Sequence, residues 1–141
     1  MKITARVENA QDQHEVVLAT DSVRHTLSIP PKKTGMGSSA NGGELLFLAL
    51  ATCYCNDIYR EAAKRGIEVK SVEVEVTGEF GTAGEPARDV TYRAKVEARA
   101  SEKEIRDLMT HTDRIAEIQN SLRLGTKVTL AHVDPRSTIE S

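Results

Sequence analysis

The feature that most constrains the fold is a long helical segment in the middle of the chain, from about Glu44 to Arg65. Its first half, residues 45–51, is apolar on all sides, which predicts burial all round. Its second half becomes amphipathic and charged, and Gly66 is the kind of residue that commonly ends a helix. This pattern predicts a central helix that enters the core of the protein and emerges from it again.

Alternating apolar and polar residues predict strands on both sides of this helix. Three strands precede it, with turns at residues 9–13 and 20–22. A loop rich in Gly, Ser and Pro over residues 30–43 leads into the helix. Two long strands follow, joined by a loop at residues 78–86, and we expect them to pair in antiparallel fashion.

A second helix begins at the capping box formed by Ser101 and Glu104 and runs to about Leu122. Val128 and Leu130 mark a final strand. The element order is therefore βββ-α-ββ-α-β. It predicts an α+β fold with an antiparallel sheet, a long buried central helix and a second helix.

Length and composition limit the protein class. A chain of 141 residues fits one domain over residues 1–141, and 39% hydrophobic with 28% charged residues is typical of a globular protein. A net charge of −2 and 4% aromatic residues argue against partners such as nucleic acids or membrane surfaces. The longest uncharged apolar run, residues 45–55, is too short to span a bilayer, and residues 1–10 do not resemble a signal peptide. We therefore expect a cytoplasmic protein.

Two cysteines, Cys53 and Cys55, fall within the central helix. Side chains two positions apart point about 200° away from each other around a helix axis, so these two cannot form a disulfide with each other. Both could be small buried core residues. Alternatively, one is a reactive thiolate, which requires a neighbouring cation or hydrogen-bond donor to lower its pKa. The candidate cations are Arg24, Lys32 and Lys33.

Other motifs give weaker signals. Residues 35–40 loosely match a dinucleotide-binding loop, but no parallel βαβ unit is predicted around them, so we expect no nucleotide cofactor. The four histidines are scattered, with no spacing typical of metal ligands, and we expect no metal. His111 lies at the edge of the apolar stripe of the second helix, where a polar flank is the ordinary role.

The segment Asn41 to Cys53, NGGELLFLALATC, resembles the OsmC/Ohr family of osmotically and peroxide-induced proteins. Gly66, the V-x-V-x-V strand after it and the close of the second helix at residues 120–125 fit the same pattern. The resemblance covers most of the chain. It implies an OsmC-like fold and an intertwined homodimer whose active sites form between subunits.

The resemblance also implies a chemistry. In the peroxidase members of the family, the cysteine that matches Cys53 is oxidised by a hydroperoxide to a sulfenic acid, and a cysteine in the second helix resolves it as a disulfide. Glu44 matches the acidic residue at the helix start. An N-terminal arginine activates the thiolate in those members, and both Arg6 and Arg24 are candidates for that position.

The sequence departs from the family at the resolving position. That position falls near Ala116 and Glu117, and the second helix contains no cysteine. Polar residues, including His111 and Glu117, stand in that segment instead. We regard Cys53 as the candidate catalytic residue, with Glu44, Cys55, His111 and Glu117 as supporting residues.

Two hypotheses follow. In the first, Cys53 reduces organic hydroperoxides in an oxidative-stress response, in the manner of a one-cysteine peroxiredoxin, and an external thiol acts as resolver and reductant. In the second, the chain is a non-peroxidatic dimeric scaffold that binds a small apolar ligand at the subunit interface.

Overall fold

The computed structural model describes residues 1–139 and forms two compact units. Unit 1 comprises residues 1–52 and 74–93, and unit 2 comprises residues 53–73 and those from 94 onward. One helix and two strands run through both units. The single domain predicted over residues 1–141 therefore stays a prediction, and its last two residues lie outside the described part.

Unit 1 begins with a three-stranded antiparallel sheet, as predicted. Strands β1 (Ile3–Ala10), β2 (Gln13–Thr20) and β3 (Val23–Thr26) pair in the order β1-β2-β3. Two-residue turns join them, and each contains an aspartate with positive φ, 58° at Asp12 and 51° at Asp21. Such tight turns require positive φ, which Asp tolerates better than most residues, so the local sequence defines both hairpins.

The central helix, α1 (Gly42–Lys64), has well-defined ends close to those predicted. At its start, the backbone N–H of Glu44 donates to Oδ1 of Asn41 at 2.8 Å. In return, the backbone N–H of Asn41 donates to the Glu44 carboxylate at 2.9 Å. This reciprocal capping box satisfies two amides that a helix start leaves without partners. At the other end, Gly66 adopts φ of 68°, the left-handed conformation that ends many helices.

Burial along α1 differs from the sequence-based expectation. In the first half, Leu48 is 54% exposed and residues 45–47 are half-buried, so burial on all sides is not reached within this chain. An apolar sequence indicates that burial of the segment is favourable, but burial also requires other residues that pack against it. The second half is amphipathic, as predicted. Its buried apolar stripe consists of Tyr54, Ile58 and Ala62.

Strands β4 (Glu68–Glu79) and β5 (Arg88–Arg99) form a second sheet. The hydroxyls of Thr77 and Thr91 lie 3.3 Å apart, and Glu75 pairs with Arg93 at 3.0 Å. Partner numbers rise on one strand as they fall on the other, which makes the pair antiparallel, as predicted.

The predicted second helix is interrupted. It consists of α2 (Glu102–Ile115) and α3 (Glu117–Arg123), separated by Ala116 in an extended conformation with ψ of 111°. Ser101 caps α2 as predicted, accepting from the N–H of Glu104 at 3.2 Å. At the break, the Asn120 side chain donates to the carbonyl of Arg114 at 2.9 Å, replacing a lost helical hydrogen bond. The prediction of one continuous helix to Leu122 was wrong, because no Pro or Gly marks the break in the sequence.

The predicted final strand is not formed. Residues 126–139 contain no strand, and Val128 and Leu130 are 93% and 84% exposed. A strand needs a neighbour that takes up its backbone hydrogen bonds, and the sequence pattern alone could not supply one. Over the described part of the chain, no helix combines the length and the apolar character that a bilayer crossing requires.

Candidate active site

Cys53 lies on α1 in unit 2, half-buried and with a free thiol. Two carboxyl groups lie within hydrogen-bonding distance of its sulfur. Asp57, one helical turn further along α1, places Oδ2 3.6 Å from Sγ. Glu117, the first residue of α3, places Oε2 3.7 Å from Sγ. The single thiol proton can therefore be donated to either of two acceptors.

Arg60 binds the same two carboxyl groups from the other side. Its Nη1 lies 3.1 Å from Oδ1 of Asp57 and 3.6 Å from Oε1 of Glu117. Each acid thus turns one oxygen towards the sulfur and the other towards the guanidinium. This matters most for Asp57, which is only 5% exposed, because a buried carboxylate requires a compensating charge. We call Cys53, Asp57, Arg60 and Glu117 the thiol–carboxyl cluster.

A second buried acid anchors Arg60. Glu61, 5% exposed, accepts from Nε of Arg60 at 3.0 Å and from Nζ of Lys64 at 2.9 Å. Its other oxygen lies 2.9 Å from Nε2 of His111 on α2. The hydrogen bonds from Lys64, His111 and Arg60 lower the pKa of Glu61 to about 2. Glu61 is therefore an anion at neutral pH, and it holds the guanidinium of Arg60 in place.

The surroundings of Cys53 favour the neutral thiol. Burial raises the pKa of Cys53, and the negative charges of Asp57 and Glu117 raise it further. One contact acts in the opposite direction: the backbone N–H of Ile118 donates to the sulfur and lowers the pKa. At rest this group is a protonated thiol with one amide already directed at the sulfur.

The pKa values of the two acids are shifted in opposite directions. Burial raises the pKa of Asp57, and the neighbouring Glu117 raises it further, while Arg60 lowers it. The pKa of Glu117 is lowered by a backbone N–H at the start of α3, by a hydrogen bond from Asp57 and by Arg60. Within the pair, Asp57 therefore holds a proton more readily than Glu117 does.

The donor atoms of Cys53, Asp57 and Glu117 all lie within 4.8 Å of one another, a spacing that a small cation could use. However, Arg60 already supplies positive charge to both carboxyl groups. A cation added beside the sulfur would be repelled by this guanidinium. We therefore interpret the group as a hydrogen-bonded cluster rather than as a metal centre.

The residues singled out in the sequence have different positions. His111 and Glu117 lie in unit 2 with Cys53. Glu117 contacts the sulfur of Cys53 directly, whereas His111 contacts Glu61, which binds Arg60 of the cluster. Glu44 belongs to unit 1 and caps the start of α1, nine positions before Cys53 in the sequence. Cys55 is a half-buried free thiol two positions on from Cys53.

The cations proposed from the sequence belong to unit 1, whereas Cys53 belongs to unit 2. In unit 1, Arg6 pairs with Glu8 at 2.6 Å and with Glu15 at 3.8 Å. The cation of the thiol–carboxyl cluster is Arg60, which sequence reasoning missed together with Asp57 and Glu61. A signal for them existed, because positions 53, 57, 60, 61 and 64 share one face of a helix.

Comparison with known families adds to this geometry. The sequence pattern of the OsmC-like protein family matches residues 35–131, which span α1, both strands of the second sheet and both later helices. The chain belongs to the OsmC-like family. Among curated proteins, none matches the sequence.

Solved structures share the fold of this OsmC-like chain. An OsmC-like protein from Mycoplasma pneumoniae has 22% identity and a TM-score of 0.62, with 86% of each chain covered. An OsmC-like hydroperoxide resistance protein from a Jannaschia species has 14% identity and a TM-score of 0.53, with 97% of this chain and 93% of the other covered. The organic hydroperoxide resistance protein OsmC from Legionella pneumophila has 16% identity and a TM-score of 0.51, with 87% of this chain and 90% of the other covered. These likenesses show a common fold.

Proposed function

We propose that this OsmC-like chain reduces organic hydroperoxides through Cys53 in an oxidative-stress response. The observation that carries the proposal is a half-buried free thiol that receives a backbone N–H from Ile118, the contact that a developing thiolate needs. The names of the structural relatives from Legionella pneumophila and the Jannaschia species, both hydroperoxide resistance proteins, agree with this chemistry.

The reaction proceeds in two stages. The sulfur of Cys53 attacks one oxygen of the hydroperoxide, the O–O bond breaks, and an alcohol leaves, so that Cys53 becomes a sulfenic acid. One external thiol then forms a mixed disulfide with Cys53 and releases water. A second external thiol displaces Cys53, which returns to the thiol as the external pair leaves as a disulfide. We assign this step to an external thiol because Cys55, the other cysteine of the sequence, lies on the same helix and cannot reach Cys53 within it. A reduced thiol pool of this kind is typical of the cytoplasm, where we place the reaction.

The protein acts as a homodimer in this proposal. All eight residues of β1 are exposed, among them Ile3 at 65% and Val7 at 60%, although their alternation is typical of a strand with one covered face. A second copy of the chain would cover that apolar face. Light scattering on the purified protein should give about twice the 15.4 kDa of one chain. A mass equal to that of one chain at micromolar concentration would contradict this assignment.

The catalytic proposal is tested with cumene hydroperoxide and dithiothreitol. The wild-type protein should consume the hydroperoxide, and Cys53→Ser should reduce the rate to that of the buffer. Tandem mass spectrometry after dimedone treatment should localise the sulfenic acid to Cys53 rather than to Cys55. Equal consumption by wild type and Cys53→Ser would refute the proposal.

The second hypothesis, a scaffold that binds a small apolar ligand, keeps support from two observations. The raised pKa of Cys53, caused by burial, disfavours a resting thiolate. In addition, Val96, Ile105 and Met109 line a cavity of about 380 Å³ in unit 2. The test is the fluorescence of anilinonaphthalene sulfonate, which should rise on addition of the wild type and not on addition of Met109→Glu. This result, together with no consumption of hydroperoxide by the wild type, would favour ligand binding over the first function.

A further inference from the structure

The thiol–carboxyl cluster raises a chemical question that the peroxidase proposal leaves open. A hydroperoxide reductase needs a thiolate at the moment of attack, and the alkoxide that leaves needs a proton. Within unit 2, the charged groups hydrogen-bonded to the sulfur of Cys53 are two acids, at 3.6 Å and 3.7 Å. Burial and these acids favour the protonated thiol, so its proton has to leave as the sulfur reacts.

We propose that Asp57 and Glu117 act as a carboxyl pair that takes the thiol proton of Cys53 and gives a proton to the departing alkoxide. This inference rests on the proposed function. As the sulfur bonds to the peroxide oxygen, the S–H proton passes to the carboxylate of the pair. As the O–O bond breaks, one proton of the pair passes to the alkoxide, which leaves as the alcohol. The pair ends with the same number of protons with which it began, and Cys53 becomes the sulfenic acid.

The geometry meets the requirements for this transfer. Both inner oxygens lie within reach of the sulfur, so that the proton has a direct acceptor. The groups that face the pair are the thiol of Cys53 and the guanidinium of Arg60, together with the backbone N–H at the start of α3. Arg60 binds only the outer oxygens and leaves the inner ones for the proton. Glu61 in turn fixes Arg60, and we regard it as a positioning residue.

The pair has properties expected of a general acid–base group. Burial raises the pKa of Asp57, which moves this carboxyl towards the range in which it can both hold and release a proton near neutral pH. Glu117 is 64% exposed at its side chain and can therefore exchange protons with water between turnovers. A buried proton holder next to an exposed acceptor can both transfer a proton locally and be reset.

The test compares two reactions of the same sulfur. Alkylation by iodoacetamide at pH 7.5 needs only the thiolate, whereas sulfenic acid formation with cumene hydroperoxide also needs a proton on the leaving group. In Glu117→Gln, we expect faster alkylation, since the negative charge of the pair is removed. In both Glu117→Gln and Asp57→Asn, we expect sulfenic acid formation to fall at least about tenfold, since general acid–base catalysis contributes roughly 100-fold or more. Opposite changes in the two reactions are not produced by a structural defect.

The controls separate the possible outcomes. Asp107→Asn removes an exposed acid on α2 that pairs with Lys103, and it should change neither rate. If Asp57→Asn does not fold, Glu117→Gln at the exposed member of the pair provides the test. If the wild type forms the sulfenic acid and both Asp57→Asn and Glu117→Gln form it at the same rate, the proposed proton transfer by the carboxyl pair is wrong, while the proposed peroxidase function is unaffected. Absence of sulfenic acid in the wild type would overturn both proposals.

Discussion

Nη1 of Arg60 lies 3.1 Å from Oδ1 of Asp57, a side chain that is almost completely buried. Both residues lie on α1, and the same guanidinium also binds Glu61 and Glu117. One partly exposed cation thus pairs with three acids within unit 2. We expect the stability of this part of the protein to depend on it.

Arg60→Ala should destabilise the protein by about 1–3 kcal/mol, because it leaves the buried carboxyls of Asp57 and Glu61 with fewer partners. The free energy of unfolding in urea at neutral pH measures this effect. Lys103→Ala is a matched control, since it also removes one cation from an ion pair, but an exposed one. We expect a change within about 0.5 kcal/mol for the control. Equal losses in the two variants would contradict the assigned role of Arg60.

The pH dependence of stability should report on Glu61. Hydrogen bonds from Lys64, His111 and Arg60 lower its pKa from 4.5 to about 2 in the folded protein. A lowered folded-state pKa stabilises the protein above the unfolded-state value, and this contribution is lost as the pH falls from 4.5 towards 2. Urea midpoints measured over that range should fall more steeply for wild type than for Glu61→Gln. Parallel curves would show that Glu61 is not held as an anion. Asp57 acts in the opposite sense, because burial raises its pKa.

Gly78→Ala should disturb unit 1. A Cβ at this position of β4 would lie 2.7 Å from the ring of Phe47, closer than Cβ atoms approach other atoms, and 3.0 Å from Val90. Phe47 is itself stacked on Phe80 at a ring distance of 5.9 Å, so that a shift of its ring would disturb this stacking. We expect a loss of about 1–3 kcal/mol in thermal or urea unfolding. Gly42→Ala, at a helix position with open space around it, is the control and should not destabilise the protein.

Asn41→Ala should remove the cap of α1. The Glu44 N–H would lose the acceptor that it now has at 2.8 Å, which costs about 1 kcal/mol at a helix start. Asn41→Ser retains an acceptor oxygen and should recover most of this loss. Chemical denaturation followed by circular dichroism measures both variants. If Asn41→Ser were as unstable as Asn41→Ala, the side-chain cap would not be the cause.

The sequence predicts the parts of the fold that depend on neighbours along the chain. The capping box at Ser101 and the turns within residues 9–13 and 20–22 are local, and all are present. The break at Ala116 has no local marker, because the compensating bond comes from Asn120 beyond it. The missing final strand shows the same limit, since pairing requires a distant partner.

The candidate site likewise combines residues that are near each other in the sequence with one that only the fold brings close. Cys53, Asp57 and Arg60 lie on one helix face and could have been recognised from their spacing. Glu117 lies 64 residues from Cys53 in the sequence, and only the fold brings the two together. The resemblance to the family had drawn attention to the segment around Glu117 because the resolving cysteine of the family is missing there.

The extended backbone at Ala116 has a consequence for how this site tolerates change. In an unbroken helix, the N–H of Ile118 would be bonded to the carbonyl of Arg114 and could not face a sulfur atom. The break releases this amide for Cys53, while Asn120 takes over the abandoned carbonyl. A main-chain donor is present whatever side chain stands at position 118, proline excepted. Substitutions there can therefore accumulate during evolution without removing the contact, whereas a change that straightens the helix would remove it at once.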